Sequence, residues 1–151
     1  MKYYEDIAVG DTEEFGEYHV TKEEIIEFAS QYDPQPFHTD EEAAKESAFG
    51  ELVASGWHTA AICMRLLVDN MMDKRASMGA RGVDELRWRQ PVRPGDTIHL
   101  RTEVVDKRRS ESDPGRGYVD NKMEGLNQDG EVVISWVGLG MVAVRDPESA
   151  E

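Results

Sequence analysis

Asp33 and His38 stand five residues apart in the segment Asp33-Pro34-Gln35-Pro36-Phe37-His38. A carboxylate and an imidazole are the pair most used to hold and move protons, provided their positions are fixed before a substrate arrives. Pro34 and Pro36 each lack an amide hydrogen and push the residue before them toward extended geometry, so the segment reads as a stiff, non-helical loop. Loops of that kind often carry reactive groups. Spacing alone leaves two plainer readings open: Asp33 as a helix-end residue before proline, and His38 as a surface histidine.

A third feature lies close behind. Ser55-Gly56 precedes a long apolar helical stretch beginning at Trp57. Backbone N–H groups at such a start lack helix partners and favour negative charge. The Gly56 amide can therefore steady an oxyanion developing on a carbonyl, although a glycine needed only for a tight entry turn fits as well. A carboxylate, an imidazole and an amide-lined helix start together are what adding water beside a carbonyl requires. Other candidates carry less. His58 sits just inside the helix and reads as packing or pocket lining; His19 and His99 fall on strands and read as structural. Cys63 lies mid-helix with no activating neighbour in sequence. Met64, Met71, Met72 and Met78 read as core, with an acyl-shaping role as the alternative. Arg87, Trp88, Arg89 and Arg93 form one basic, aromatic patch, suited to surface ion pairs or to an anionic ligand.

The elements that must position these groups follow from periodicity and capping. Phe15 to Val20 reads as an opening strand. Thr21 and Glu24 form a capping box for a helix whose apolar face is Ile25, Ile26, Phe28, Ala29 and Tyr32, ended by Asp33-Pro34. Thr39 and Glu42 suggest a second capping box for a short helix stopped at Phe49-Gly50. The helix from Trp57 to about Lys74 is apolar around most of its circumference and is expected to be largely buried. Strands follow at Val83–Val92, Thr97–Val105, Tyr118–Leu126 and Val132–Val144, with turns at Arg93–Asp96 and Asn127–Gly130. Ile98, Leu100, Thr102 and Val104 should share one face. The expected class is α+β, one domain over 1–151 with a core of about 4–144 and a polar tail at 145–151: an antiparallel sheet wrapped around one long helix.

Composition bounds the partners. The net charge is −14, from 31 acidic and 17 basic residues, which argues against nucleic acid and against an anionic membrane surface. Arginines number 11 and lysines 6; a strongly acidic, lysine-poor surface suits a protein kept soluble in high salt, and a halophilic source is expected. The first residues carry no signal-like apolar stretch and a single cysteine allows no internal disulfide, so the cytoplasm is the expected compartment. No cluster has the ligand spacing of a zinc site, and no metal is expected.

Asp33-x-Gln35-Pro36-x-His38, then Ser55-Gly56-Trp57, then Pro91-Val92-Arg93-Pro94-Gly95-Asp96, resemble the MaoC-like dehydratases, a hotdog-fold family that includes the R-specific enoyl-CoA hydratases. The resemblance spans roughly Tyr4 to Val144. It implies that Asp33 and His38 hold a water that adds across the C2–C3 double bond of a trans-2-enoyl thioester, giving a 3-hydroxyacyl-CoA, while the Gly56 amide holds the thioester oxygen. Gln35, Ser55, Trp57, His58 and Arg93 would contact substrate. Coenzyme A would be part of the substrate and no separate cofactor would act. A homodimer, or a higher homo-oligomer, is implied, with sites near the subunit interface. The family commonly has Asn where this chain has Gln35, and His where it has Ser55, so the pocket shape is expected to differ. A hotdog thioesterase and a non-catalytic acyl-CoA binding module are the rival readings.

Overall fold

A computed structural model describes residues 1–149 of the chain. Five strands form one antiparallel sheet in the order β1-β3-β4-β5-β2: β1 (Thr12–His19), β2 (Ser77–Trp88), β3 (Thr97–Arg109), β4 (Arg116–Leu126) and β5 (Val132–Ala143). Four helices precede β2 or separate it from β1: α1 (Lys22–Tyr32), α2 (Pro36–Thr39), α3 (Glu41–Lys45) and α4 (Gly56–Asn70). The sheet wraps α4, which is the hotdog arrangement. Along β3 the buried residues alternate as Ile98, Leu100, Thr102 and Val104, the face that periodicity predicts. Ile98 and Leu100 share one core cluster with Ile62, Cys63, Leu66 and Leu67 of α4, with Met71 just past its end, and with Met123, Ile134 and Trp136 from β4 and β5. A smaller cluster of Tyr4, Ile7, Val119, Val142 and Val144 joins Val104 beyond the end of α4. Gly125 lets the helix sit this close: a Cβ there would lie 2.8 Å from Ile134 Cγ2 and 2.9 Å from Cys63 Sγ. No helix among the described residues is long and apolar enough to cross a membrane.

The turns confirm the sequence reading. Asp96 N–H donates to Arg93 O over 3.1 Å around Gly95 at φ +91°. The β4–β5 hairpin closes through Asn127, whose N–H donates to Glu131 O and whose carbonyl receives the Gly130 N–H. Strand lengths are less well matched. β2 begins at Ser77, six residues before its expected start at Val83. Gly79, Gly82 and Glu85 all have positive φ, and three register shifts break its pairing with β5, so this edge strand lacks the alternation by which a strand is recognised.

Several local expectations are corrected. Thr21 does cap α1, accepting from Glu24 N–H at 3.2 Å, but the Glu24 carboxylate does not return to the cap. It is taken by Tyr18 Oη at 2.5 Å and His58 Nε2 at 3.2 Å, a charged acceptor being better used by two donors in the interior. The cap of α3 is Asp40, which accepts from Glu42 and Ala43 N–H, and not Thr39, whose hydroxyl turns back to Gln35 O. α4 ends at Asn70, followed by a separate 3-10 turn at Met72–Lys74. Nor is α4 buried all round: Trp57, Met64 and Val68 remain exposed on one side. The described part of the polar tail is tied down, with Arg145 paired to Asp6 and its N–H bonded to Glu5 Oε1; Ala150 and Glu151 lie outside the described residues.

Candidate active site

Asp33 closes α1, donating its N–H to Ala29 O at 2.8 Å. Pro34 cannot continue the helix, and Asp33 sits at φ −151°, outside the helical region. The expectation of a wholly non-helical loop is corrected from here on. Gln35 acts as N-cap and Pro36 as the first residue of the one-turn helix α2, which includes His38. Proline suits this position because its missing N–H would have had no helix partner and its fixed φ is already helical. That turn swings His38 back toward Asp33, leaving His38 Nε2 3.4 Å from Asp33 Oδ2.

Both groups are held. His38 Nδ1 lies 2.6 Å from Val53 O. A carbonyl only accepts, so Nδ1 carries a hydrogen and Nε2 is the ring nitrogen that faces Asp33 and the cavity. Phe37 packs edge-on against the ring. Asp33 receives Gln35 Nε2 on Oδ1 at 2.7 Å and Ser55 Oγ on Oδ2 at 2.8 Å. The Gln35 bond first, then the Ser55 bond and the His38 charge, hold the Asp33 carboxyl below its ordinary range. Gln35 and Ser55 were expected to touch substrate; in the structure their side chains hydrogen-bond the Asp33 carboxylate.

A depressed carboxyl pKa stabilises the fold above the unfolded value and loses that contribution as pH falls through the folded one. Gln35→Leu removes the largest lowering cause. The Asp33 titration, followed by carbon-13 NMR of its carboxyl, is therefore expected to move upward. An unmoved titration would mean that the Gln35 bond does not set this group.

The helix start completes the arrangement. Ser55, fully buried, spends its hydroxyl on Asp33 and none of it on capping α4. His58 and Thr59 N–H groups donate to Ser55 O. Among the described residues no acceptor engages the Gly56 or Trp57 N–H. Trp88, from the end of β2, lies flat against this point: a Cβ at Gly56 would fall 2.4 Å from Trp88 Cε2. Trp57 meets the same indole at 5.0 Å between ring centres.

Asp33, Gln35, His38 and Gly56 all line one cavity of about 430 Å³. Its remaining walls include Phe49, Val53, Thr59, Trp88, Arg89 and Val92. A largely apolar enclosure strengthens any charge interaction inside it. Trp57 stands at the mouth and is well exposed.

Two expected residues lie elsewhere. His58 faces away, stacked on Phe28 and bonded to Glu24, in a separate cavity of about 370 Å³ with Tyr18 and Arg65; burial pushes its pKa down. It points there because α4 turns about 100° per residue, so positions 56 and 58 cannot share a face. Arg93 pairs with Glu51 at 2.9 Å, which raises its pKa, and it is not among the cavity's lining residues. His19 and His99 meet Thr97 and Glu14 on the sheet surface. Burial pushes the Cys63 thiol up to about 12, which makes it inert. None of the four methionines lines the cavity. Trp88 as the cover of Gly56, and the Val53 carbonyl as the anchor of His38, had no signal in the sequence beyond an aromatic residue and a chain segment with no other task.

A family profile described as MaoC like domain matches residues 6–125. A MaoC-like dehydratase of Rhodospirillum rubrum of known structure is 45% identical, with a TM-score of 0.90 over 97% of this chain and 99% of that one. A 3-hydroxybutyryl-CoA dehydratase of Methylorubrum extorquens is 30% identical over 106 residues, 69% of this chain and 64% of that protein. A mesaconyl-CoA hydratase of Cereibacter sphaeroides is 42% identical over 65 residues, 43% of this chain but only 19% of that much longer protein.

Proposed function

This chain belongs to the MaoC-like dehydratase family, and from that premise we propose that it adds water reversibly across the C2–C3 double bond of an enoyl-CoA thioester. One observation carries the reading: Asp33, His38 and the open Gly56 amide face a single cavity. The named dehydratase and hydratase relatives act on CoA thioesters by name, which supports the same substrate class.

The chemistry follows from how the two groups are held. The bonds from Gln35 and Ser55 keep the Asp33 carboxyl below its ordinary range, so the carboxylate is a weak base. His38 Nε2 is the available basic atom. A water placed between Nε2 and Asp33 Oδ2 gives its proton to Nε2 as its oxygen bonds to C3. The π electrons move onto the thioester carbonyl, whose oxygen takes enolate character and is held by the Gly56 N–H. The imidazolium, steadied by the Asp33 charge, then returns the proton to C2. Atoms and charge balance without a cofactor, and dehydration runs the same steps backward.

Crotonyl-CoA with the purified chain tests this. Loss of enoyl absorbance with no thiol release is the expected result. Thiol release would instead indicate a thioesterase, and binding without turnover of any enoyl-CoA would indicate a binding module. The proposal also pairs two copies, since Trp57, Met64, Val68, Val83 and Trp88 are left exposed on α4 and on the edge strand β2. A solution mass of a single 17.1 kDa chain under assay conditions would contradict the pairing.

A further inference from the structure

Hydration needs the Asp33 carboxylate and the Gly56 amide at a fixed separation, yet they stand on different helices. We propose that His58 and Glu24 are positioning residues for the reaction proposed above: their bond fixes how α1 lies against the start of α4, and so where Asp33 stands relative to Gly56.

Asp33 caps the end of α1, and Gly56 opens α4. Among the described residues, two side-chain hydrogen bonds cross between these helices. Ser55 Oγ donates to Asp33 Oδ2 at one end of α1, and His58 Nε2 donates to Glu24 Oε1 near the other, over 3.2 Å. A carboxylate only accepts, so the hydrogen of the second bond is on Nε2. Ser55 and His58 are three residues apart and reach from one side of the helix start. Glu24 and Asp33 are nine residues apart, about 14 Å along α1. Apolar packing of Ile25 into the core keeps α1 close to α4 but is non-directional. A second directional bond this far from the first sets the direction of the helix. The His58 ring also stacks on Phe28, one turn on from Glu24, at 4.6 Å and 9°. Tyr18 Oη holds the other Glu24 oxygen and ties the same point to β1.

Stability alone does not call for this network. His58 is buried, and its Nδ1 has no hydrogen-bond partner among the described residues. An unpaired buried polar atom is destabilising, and an apolar pair of similar shape would avoid the penalty. Arg65 lines the same cavity and would be a strong partner for Glu24, but it is paired with Asp69. Glu24 is left to Tyr18 and His58. A polar bond kept where an apolar contact would be at least as stable fits a site where direction matters.

The test separates position from stability. His58→Phe keeps an aromatic ring beside Phe28 and removes the bond. Its kcat with crotonyl-CoA should fall about ten- to hundredfold, the scale of a small misplacement of a reacting group, with KM changed less than about twofold. The Asp33 carboxyl titration, followed by carbon-13 NMR, should move upward as the Ser55 bond loosens. E24L/H58F removes both partners; it should show the same two changes and melt no lower than the wild type. His58→Gln restores a donor at similar reach and should recover most of the kcat lost in His58→Phe. Leu67→Val, a core change on α4, should lower the melting temperature and leave kcat and the Asp33 titration in place. Wild-type kcat, or an unmoved Asp33 titration, in folded His58→Phe or E24L/H58F overturns the proposal. So does an equal effect of Leu67→Val, or a His58→Gln variant no better than His58→Phe, since the role would then be packing alone. If the wild type hydrates no enoyl-CoA, the hydration reading fails by itself. The Asp33 titration in wild type against E24L/H58F then decides independently whether the pair places Asp33.

Discussion

Asp33→Asn and His38→Gln are each expected to lower crotonyl-CoA hydration on the order of a thousandfold, the scale of losing a positioned proton-transfer group. The two losses have different structural causes. Asparagine keeps the size of Asp33 and can still accept from Gln35, but its amide nitrogen then faces Ser55 Oγ and His38 Nε2. A donor there occupies the lone pair that must receive the water proton, and the charge that steadies the imidazolium is gone. His38→Gln removes the basic atom itself. It also cuts a buried bond to Val53 O, so thermal stability should fall by roughly 1–3 kcal/mol while Asp33→Asn changes it less. Circular-dichroism melts beside initial rates at 25 °C separate the effects. Wild-type turnover by either folded variant would remove that residue from the mechanism.

The distance between those two groups shows what a sequence can and cannot carry. Asp33 and His38 were identifiable because proline restricts the residue before it, and that restriction is local. Where His38 would point was not local. It depended on Pro36 opening a helical turn in place of extending a loop, and on Val53, fifteen residues on, offering a carbonyl. The sheet was legible wherever one face meets the core and the other meets water, as along β3. β2 was legible only over Val83–Trp88; its first six residues were missed because a segment with Gly79 and Gly82 at positive φ and repeated register shifts has no period to detect. His58 faces a different cavity for a related reason. Two residues from Gly56 in sequence is about 200° around a helix, and only tertiary packing says which side holds the substrate. Gln35 and Ser55 both bond the Asp33 carboxylate, a partnership with no mark in the sequence, since hydrogen-bond partners are chosen in three dimensions.

The same distinction governs how the Gly56 amide can be tested. Gly56→Ala in the native background is uninformative, since its Cβ would strike the Trp88 indole at 2.4 Å and disturb packing and pocket together. Removing that obstacle first makes the position testable, so the comparison is between G56A/W88A and G56P/W88A. Both doubles add bulk into the space vacated by the indole. They differ in the N–H, which alanine keeps and proline lacks. Proline is tolerated at the first position of a helix, where its absent donor costs no helix bond. Ser55, at φ −57° and ψ 140°, already has the extended geometry that a residue before proline prefers. Both doubles should therefore fold, with similar far-ultraviolet spectra and melting temperatures. Turnover should fall a further ~100- to 1,000-fold in G56P/W88A relative to G56A/W88A, the range for losing one oxyanion donor, and the fall should appear in kcat more than in KM because the enolate oxygen is charged only in the transition state. Equal kcat in two folded doubles would take the oxyanion role away from Gly56 and leave the neighbouring Trp57 N–H, also without an acceptor among the described residues, as the donor to remove next.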